Sequence, residues 1–219
     1  MTAGYRHRLE DQPLDFAILD EHRAFDGFRP LDVLSVEHAA LGRDEPSKAR
    51  REIVRGGRCA VVIPYDPARD EIVVIRQFRI GAALATANAA PLELPAGGID
   101  EGEDAMAGAA RELEEETGLD TLAISHCYTI LTTPGLTDET ALVFLALVDA
   151  SALDGRGGKA DEQEDILAIR APVDALIAAV DEGAIANGFL VGATHWFARH
   201  GRTRARLLAD SIRQDETTT

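Results

Sequence analysis

One segment, residues 92–119, limits the possible folds more than any other part of the chain. Residues 92–98, Leu-Glu-Leu-Pro-Ala-Gly-Gly, have the pattern of a strand that runs into a glycine loop. Residues 104–117 are mostly strong helix formers, and Gly118 follows where a helix can end in the left-handed conformation. Apolar positions at three- and four-residue spacing predict the buried face of this helix: Met106, Ala109, Ala110 and Leu113.

The predicted helix also carries three carboxylates on the side opposite its apolar face. Glu112 and Glu116 lie one turn apart, and Glu115 lies beside them. Two like charges about 4 Å apart repel by roughly 1 kcal/mol in water and by about 4 kcal/mol at the effective dielectric of a protein site. A hard divalent cation relieves this repulsion, and because no His or Cys stands at metal-ligand spacing, Mg²⁺ or Mn²⁺ is favoured over zinc. The alternative is a solvated, glutamate-rich helix that binds nothing.

The net charge narrows the possible partners. The chain has 38 acidic and 22 basic side chains, a formal net charge of −16, and no basic stripe of the kind that neutralises phosphates along DNA or RNA. Nucleic acid is therefore excluded as a partner. The acidity indicates either a well-solvated surface or carboxylates that in part bind metal. The proportions of hydrophobic (46%) and charged (27%) residues are those of a folded globular protein.

The pattern along the chain predicts three parts. Residues 1–57 hold short strand-like runs and end in a polar, turn-rich stretch at 42–57, which we interpret as the boundary of a small N-terminal β-rich unit. Residues 58–209 form the main domain, and residues 210–219 a flexible tail. So small a β unit would be marginal alone, so we expect it to pack against the main domain or against a second copy of the chain, as in a homodimer.

Strand and helix patterns alternate through the main domain. We predict a hairpin over residues 59–78, strands at 123–131, 141–148 and 165–171, and two closing helices, one starting at Pro172 and one spanning residues 189–206. Cys59 and Cys127 are predicted to be buried free thiols. The first residues lack a signal-peptide pattern and no apolar run is long enough to span a bilayer, so we expect a cytoplasmic location and no membrane contact.

Nine fixed positions within residues 97–119 carry a resemblance to a known family: Gly97, Glu103, Arg111, Glu112, Leu113, Glu115, Glu116, Gly118 and Leu119. They match the Nudix box, the signature of the Nudix hydrolases, and agreement at all nine by chance is on the order of one in a million per chain. The resemblance implies an α+β protein with the Nudix fold, a mixed β-sheet sandwiched between α-helices. It also implies that the box binds Mg²⁺, with Mn²⁺ as a possible substitute, and holds a nucleoside diphosphate linked to another group.

Outside the box, the chain resembles the bacterial ADP-ribose pyrophosphatases of this superfamily. The similarity runs through residues 50–52, 65–71, 77–80 and 160–166, and Pro134 lies 15 residues after Leu119, the placement typical of those enzymes. This resemblance implies metal ligands at the carbonyl of Ala96 and at Glu112, Glu116 and Glu164. It makes Glu162 the general base, Glu115 a further ligand or a neighbour that holds water, and Arg111 an orienting partner of one of these carboxylates. Without the box, residues 161–165 would be interpreted as an acidic surface loop.

The same resemblance implies a set of substrate contacts. Arg51 and Arg79, and with them Arg29, are expected near the diphosphate, since a guanidinium fork suits phosphate. Phe28 resembles the aromatic residue that stacks on adenine, although an ordinary core phenylalanine is the alternative. Close backbone approach is expected at Gly98. The terminal ribose is expected at Thr133, Pro134, Gly135 and Glu139. In the family arrangement Phe28 and Arg51 come from the partner subunit, which ties a homodimer to function.

The implied reaction is Mg²⁺-dependent hydrolysis of a small-molecule substrate, ADP-ribose, to AMP and ribose 5-phosphate. A GDP-sugar pyrophosphatase or a broad nucleoside-diphosphate-sugar hydrolase is the alternative within the same class. A non-catalytic ADP-ribose sensor is a rival from a different class. A sensor is expected to lack carboxylates of the box and to carry a DNA-binding helix-turn-helix, whereas this box is complete.

Overall fold

The structure, a computed structural model, describes residues 9–42, 44–159 and 164–218, with side chains through residue 214. It divides into two compact units, residues 1–56 with 133–138, and residues 57–132 with 139–219. The division at residue 56 lies beside the boundary predicted from sequence, whereas nothing in the sequence indicated that residues 133–138 belong to the first unit. The predicted general base Glu162 lies outside the described residues.

The first unit is an antiparallel sheet of three strands in the order β1-β2-β3, formed by Phe16–Phe25, Leu31–His38 and Ser47–Val54. Strand β3 was not predicted: it lies inside the turn-rich stretch 42–57 that was interpreted as the boundary, and it pairs with β2 along its whole length. Residues 133–138 join this unit through a hydrogen bond from Val54 N–H to the Leu136 carbonyl (2.9 Å) and an ion pair between Arg55 and Asp138 (2.7 Å).

The second unit is built on a mixed sheet in the order β10-β11-β5-β4-β9-β8. The strands are β4 (Arg58–Asp66), β5 (Glu71–Arg76), β8 (Ala123–Leu131), β9 (Thr140–Leu147), β10 (Arg156–Gly157) and β11 (Ile166–Pro172). Two short strands, β6 (Leu92–Glu93) and β7 (Ala96–Gly98), pair with β5 and β4 respectively. Only β4 and β9 pair in parallel within this path, and both are almost entirely buried, as expected of strands covered on both faces.

Helices cover both faces of this sheet. They are α1 (Ile80–Ala85), α2 (Ala105–Thr117), α3 (Val173–Asp181), α4 (Gly188–Trp196) and α5 (Arg202–Thr218), with a π-helical turn at Phe197–Gly201. Alternate residues of β4 serve two cores: Val61 belongs to the core that contains Leu176 of α3, and Val62 to the core that contains Leu113 of α2. The predicted α+β fold, with a mixed sheet between helices, is confirmed.

Helix α2 forms where it was predicted, but its buried face differs from the prediction. Asp104 caps its first turn by accepting hydrogen bonds from the N–H groups of Met106 and Ala107, and Gly118 ends it with φ 70°. Met106 is 45% exposed, so its assignment to the core was wrong. The buried face holds Gly108, Ala109, Leu113, Glu116 and Thr117. Glu116 thus lies on the buried side of α2, beside Leu113 rather than opposite it.

Three other sequence expectations differ in detail from the structure. Residues 80–85 form α1, which the small apolar residues there did not indicate. The helix predicted over residues 189–206 is interrupted by the π-helical turn and continues through Thr218, so most of the segment predicted as a flexible tail is helical. Both cysteines are free as predicted, but only Cys59 is buried and Cys127 is half-buried. No helix in the described part of the chain is long and apolar enough to cross a membrane.

Candidate functional site

The glycine strand and the C-terminal half of α2 are joined by a buried carboxylate. Strand β7 pairs with β4, which sets Ala96 opposite Val61 and Gly97 opposite Ala60. The Ala96 N–H donates to Glu116 Oε2 at 2.8 Å, and Glu116 is only 4% exposed. This bond fixes the strand that begins with Ala96 against the helix that carries the three glutamates.

Glu112 lies directly against Gly97. A Cβ atom built on Gly97 would come within 2.0 Å of Glu112 Oε2 and 2.1 Å of its carboxyl carbon. Any side chain at this position would displace the carboxylate. The glycine is therefore required here by close approach and not by a special backbone angle.

Arg111 donates hydrogen bonds to three neighbouring carboxylates, those of Glu103, Glu112 and Glu115. Its Nη1 donates to Glu112 Oε1 (2.7 Å) and to Glu115 Oε2 (3.2 Å), and its Nε donates to Glu103 Oε1 (3.1 Å). Nη2 donates to the Gly98 carbonyl at 3.0 Å. Glu103 and then Glu112 raise the pKa of Arg111 above its ordinary value. One guanidinium thus orients three acidic side chains of the box and holds the glycine strand beside them.

Gly157, Gly158 and Lys159 contact the C-terminal end of α2. Gly158 N–H donates to the Glu115 carbonyl at 2.9 Å, and a Cβ on Gly157 would lie 1.8 Å from the Glu116 carbonyl oxygen. Lys159 Nζ then pairs with Glu115 Oε1 at 2.7 Å. Sequence reasoning missed Lys159, because a lysine in a polar loop gives no sign of its partner.

Glu164 is brought to the same end of α2. Its N–H donates to the Lys159 carbonyl (3.2 Å), and its Oε2 accepts from the Lys159 N–H (3.4 Å). The charge of Glu164 acts on Glu116, as the electrostatics of that carboxyl show. Glu164, from a distant loop, is therefore linked to α2 through Lys159 and through its charge on Glu116.

The buried carboxyls have raised pKa values. Burial raises the pKa of Glu116 to about 8; the bond from Ala96 N–H opposes the rise, and the charges of Glu112 and Glu164 add to it. Burial also raises the pKa of Glu112, against the opposing effect of Arg111. The charges of Glu112 and Glu164 therefore make the ionised form of Glu116 unfavourable, and a cation relieves this.

The donor chemistry fits a hard divalent cation. Glu112 and Glu164 act electrostatically on the buried Glu116, and carboxylate oxygens are the ligands that Mg²⁺ and Mn²⁺ prefer. In the three described ranges, however, no three His, Cys, Asp or Glu side chains are grouped as ligands of one ion. Glu112 is turned toward Arg111 instead.

Arg79, predicted to contact the diphosphate, lies immediately before α1. Its Nε donates to Glu93 Oε2 at 3.0 Å, and its Nη2 forms an ion pair with the same oxygen at 2.9 Å. Its charge lowers the pKa of Glu116, although burial and the other carboxylates dominate that group. Glu93 was not among the predicted site residues, because a single acidic residue inside an apolar strand pattern has no recognisable spacing.

The remaining predicted substrate contacts fall mostly in the first unit. Phe28 is 95% exposed, so the alternative of an ordinary core phenylalanine is wrong. Arg29 lies over that ring at 5.4 Å and its Nη1 donates to the Gly56 carbonyl at 2.6 Å. Arg51, in β3, is exposed and its Nη1 donates to the Arg50 carbonyl at 2.9 Å.

The residues expected at the terminal ribose are divided between the units. Thr133, Pro134 and Gly135 lie in the first unit, where the Thr133 carbonyl accepts hydrogen bonds from the N–H groups of residues 136 and 137 (2.8 and 3.0 Å). Glu139 lies in the second unit, and its carbonyl accepts from the Thr132 N–H at 3.4 Å. Gly98 also lies in the second unit and is exposed.

The sequence profile of the NUDIX domain matches residues 56–187. The chain belongs to the Nudix family. It is 36% identical over 186 residues to an ADP-ribose pyrophosphatase of Escherichia coli (strain K12), with 85% of this chain and 89% of that protein covered. An ADP-ribose pyrophosphatase of Haemophilus influenzae is 32% identical over 185 residues, covering 83% and 85%.

A solved structure of an ADP compounds hydrolase shares the fold. It superposes with a TM-score of 0.63 at 19% identity, covering 88% of this chain and 100% of that one. At this identity the similarity establishes the Nudix fold alone. It agrees with the sheet-between-helices architecture that the Nudix box predicted.

Proposed function

We propose that this Nudix protein hydrolyses ADP-ribose to AMP and ribose 5-phosphate and that it uses Mg²⁺, for which Mn²⁺ can substitute. The observation that carries the proposal is the extent of the sequence similarity. The match to the Escherichia coli ADP-ribose pyrophosphatase covers 186 residues, more than the residues 56–187 that any Nudix domain would share. The similarity therefore extends beyond the Nudix domain over most of the chain, which supports the same substrate for this protein.

The metal is assigned to Glu112, Glu116, Glu164 and the carbonyl of Ala96. When bound, a divalent metal supplies neutralisation of the diphosphate charge and a more acidic water. Arg111 keeps Glu112 and Glu115 in fixed positions, and Lys159 holds the second oxygen of Glu115. Glu162 is proposed to take the proton from the attacking water, a role that suits a carboxylate two residues from Glu164.

The substrate contacts are proposed from exposure and charge. The guanidinium of Arg79 lies against Glu93 and its charge acts on Glu116, and it can bind a phosphate oxygen there. Phe28, with its ring almost fully exposed, can stack on a base, which stabilises binding by about 1–3 kcal/mol. Arg29 and Arg51 are proposed to contact the diphosphate. Gly98 is proposed to allow close backbone approach to a phosphate or metal, and Thr133, Pro134, Gly135 and Glu139 are proposed to contact the terminal ribose.

A homodimer formed through the first unit is part of the proposal. All ten residues of β1 are exposed, among them Phe16, Ile18, Leu19 and Phe25. Clustered apolar exposure of this kind is typical of a surface that another chain covers. Light scattering on size-exclusion fractions should give twice 23.5 kDa, and a monomer at micromolar concentration would contradict this part. A cytoplasmic location and the absence of nucleic-acid and membrane partners stay predictions.

The decisive experiment is a product assay. Purified protein with Mg²⁺ and ADP-ribose should release AMP and ribose 5-phosphate, separated by ion-exchange chromatography. Glu112→Gln should slow release severely, whereas Glu114→Gln, the same change at an exposed position of α2, should not. Faster release from a GDP-sugar in a panel of nucleoside diphosphate sugars would favour that alternative. Tight ADP-ribose binding with no products would favour the sensor.

A further inference from the structure

A buried carboxylate, Glu93, lies between two polar side chains in the second unit. Its side chain is 9% exposed. Oε2 accepts a hydrogen bond from Arg79 Nε at 3.0 Å and forms an ion pair with Arg79 Nη2 at 2.9 Å, and Oε1 accepts from Asn187 Nδ2 at 3.2 Å. Each oxygen of this carboxylate is therefore satisfied by a different side chain.

The bonds to Glu93 leave Arg79 with one free edge. Nε and Nη2 are held by the buried acid, while the Arg79 side chain as a whole is 46% exposed. Within the described residues, Nη1 has no hydrogen-bond acceptor. A guanidinium is planar and rigid, so fixing one edge also fixes the direction in which the other edge points. An arginine that would otherwise sample many rotamers is held in one orientation.

The residues that hold Arg79 belong to regular structure. Glu93 lies in β6, paired with Ile75 of β5, and only three residues before Ala96. Asn187 is the N-cap of α4, where its Oδ1 accepts from the Leu190 N–H at 3.0 Å. Because Asn187 Oδ1 accepts the capping hydrogen bond, Asn187 contacts Glu93 through its Nδ2 donor. The network thus connects Arg79 to the strand that leads into the candidate metal site.

We propose that Glu93, itself oriented by Asn187, is a positioning residue that directs the free edge of Arg79 toward the diphosphate of the nucleotide substrate. The inference rests on the proposed function, because the diphosphate is the ligand expected beside the proposed metal ligands Glu112, Glu116 and Glu164. Glu93 acts through Arg79 and does not touch the substrate. A buried ion pair is a poor source of stability compared with apolar packing, which makes a positioning role the better account of a buried glutamate here.

The hydrogen-bond chemistry provides a rescue experiment. Glu93→Gln supplies one acceptor and one donor where two acceptors are needed, so either Arg79 or Asn187 loses its bond. The double variant Glu93→Gln/Asn187→Asp restores the pattern, because the new amide can accept from Arg79 and donate to the new carboxylate, which still caps α4. The charge moves from one position to the other and the total is unchanged.

Steady-state kinetics with ADP-ribose and Mg²⁺ separate positioning from stability. We expect Glu93→Gln to raise KM about 10-fold with kcat within about 3-fold, since Arg79 loses orientation and not charge. The double variant should return KM to within about 3-fold of the unchanged protein. If Glu93 only stabilised the fold, Glu93→Gln would lower the melting temperature and the fraction of active protein, and KM would not change. An unchanged KM in Glu93→Gln, or no recovery in a stably folded double variant, would overturn the proposal.

A second readout does not depend on turnover. The Arg79 Nε–H signal, assigned in ¹⁵N spectra by its loss in Arg79→Lys, should shift on addition of inorganic pyrophosphate with Mg²⁺. Glu93→Gln should need about 10-fold more pyrophosphate for the same shift, and the double variant should not. Equal titrations of all three proteins would refute positioning even if ADP-ribose is the wrong substrate. Absence of AMP release by the unchanged protein would instead refute the proposed function.

Discussion

Gly97 and Glu112 approach so closely that a methyl group on the glycine would lie 2.0 Å from the carboxylate oxygen. The neighbour that must move is the end of a flexible side chain, so the fold can tolerate the added methyl while Glu112 cannot keep its position. The position of Glu112, a proposed metal ligand, therefore depends on the absence of a side chain at residue 97.

Gly97→Ala should therefore reduce activity without unfolding the protein. We expect kcat/KM for ADP-ribose to fall at least about 100-fold, as a displaced ligand loses both metal affinity and alignment. Gly192→Ala is the matched control, because nothing lies within 4 Å of a Cβ there. Equal activity of the two variants would show that Glu112 does not depend on Gly97.

Arg111 should not be replaceable by lysine. A lysine ammonium cannot span Glu103, Glu112, Glu115 and the Gly98 carbonyl at once, as the guanidinium does. We expect Arg111→Lys to weaken Mg²⁺ binding about 10-fold, measured by activity against free Mg²⁺ concentration. The exposed Arg213→Lys serves as the control. A lysine variant with an unaltered Mg²⁺ dependence would remove Arg111 from the proposed orienting role.

Local signals account for the parts of the site that were predictable from sequence. Helix α2, its Asp104 cap and its Gly118 end follow from propensity and spacing within 15 residues. Which side of α2 is buried depends on how the helix packs on the sheet. For this reason Met106, predicted to be buried, is exposed, and Glu116, predicted to lie opposite the buried face, is buried. Strand β3 was missed for a similar reason, since its polar residues become a strand only by pairing with β2.

Contacts between distant positions were not predictable. Lys159 meets Glu115, and Asn187 meets Glu93 across 94 positions of the chain, and no periodicity or motif connects such pairs. The family resemblance named residues expected to contact ligands and one orienting residue, Arg111. It gave no information on Lys159, Glu93 or Asn187, which hold other side chains in place.

Phe28 should contribute to binding and not to the chemical step. Because its ring is 95% exposed, removing it leaves the folded protein intact. Phe28→Ala should raise KM for ADP-ribose about 10-fold with little change in kcat, the result expected when base stacking is lost. Phe28→Tyr retains an aromatic face and should behave as the unchanged protein. A normal KM in the alanine variant would assign Phe28 to another role.

The pKa of Glu116 predicts a pH dependence in metal-free protein. Folding raises this pKa from an ordinary value of 4.5 to about 8, so the folded state is favoured while the group is protonated. That stabilisation is complete below pH 4.5 and is lost as the pH rises through about 8. With EDTA present, the melting temperature should therefore fall between pH 5 and pH 8 more steeply than for Glu116→Gln, which cannot ionise.

The size of the difference follows from linkage. One pKa unit corresponds to about 1.4 kcal/mol, and 1 kcal/mol moves the melting temperature of a protein of this length by about 2–4 °C. We expect the two proteins to agree at pH 5 and Glu116→Gln to melt at least about 3 °C higher at pH 8. Added Mg²⁺ should raise the melting temperature of the unchanged protein at pH 8 and have less effect on the variant. Parallel pH profiles in EDTA would show that Glu116 ionises normally and carries no electrostatic strain for a cation to relieve.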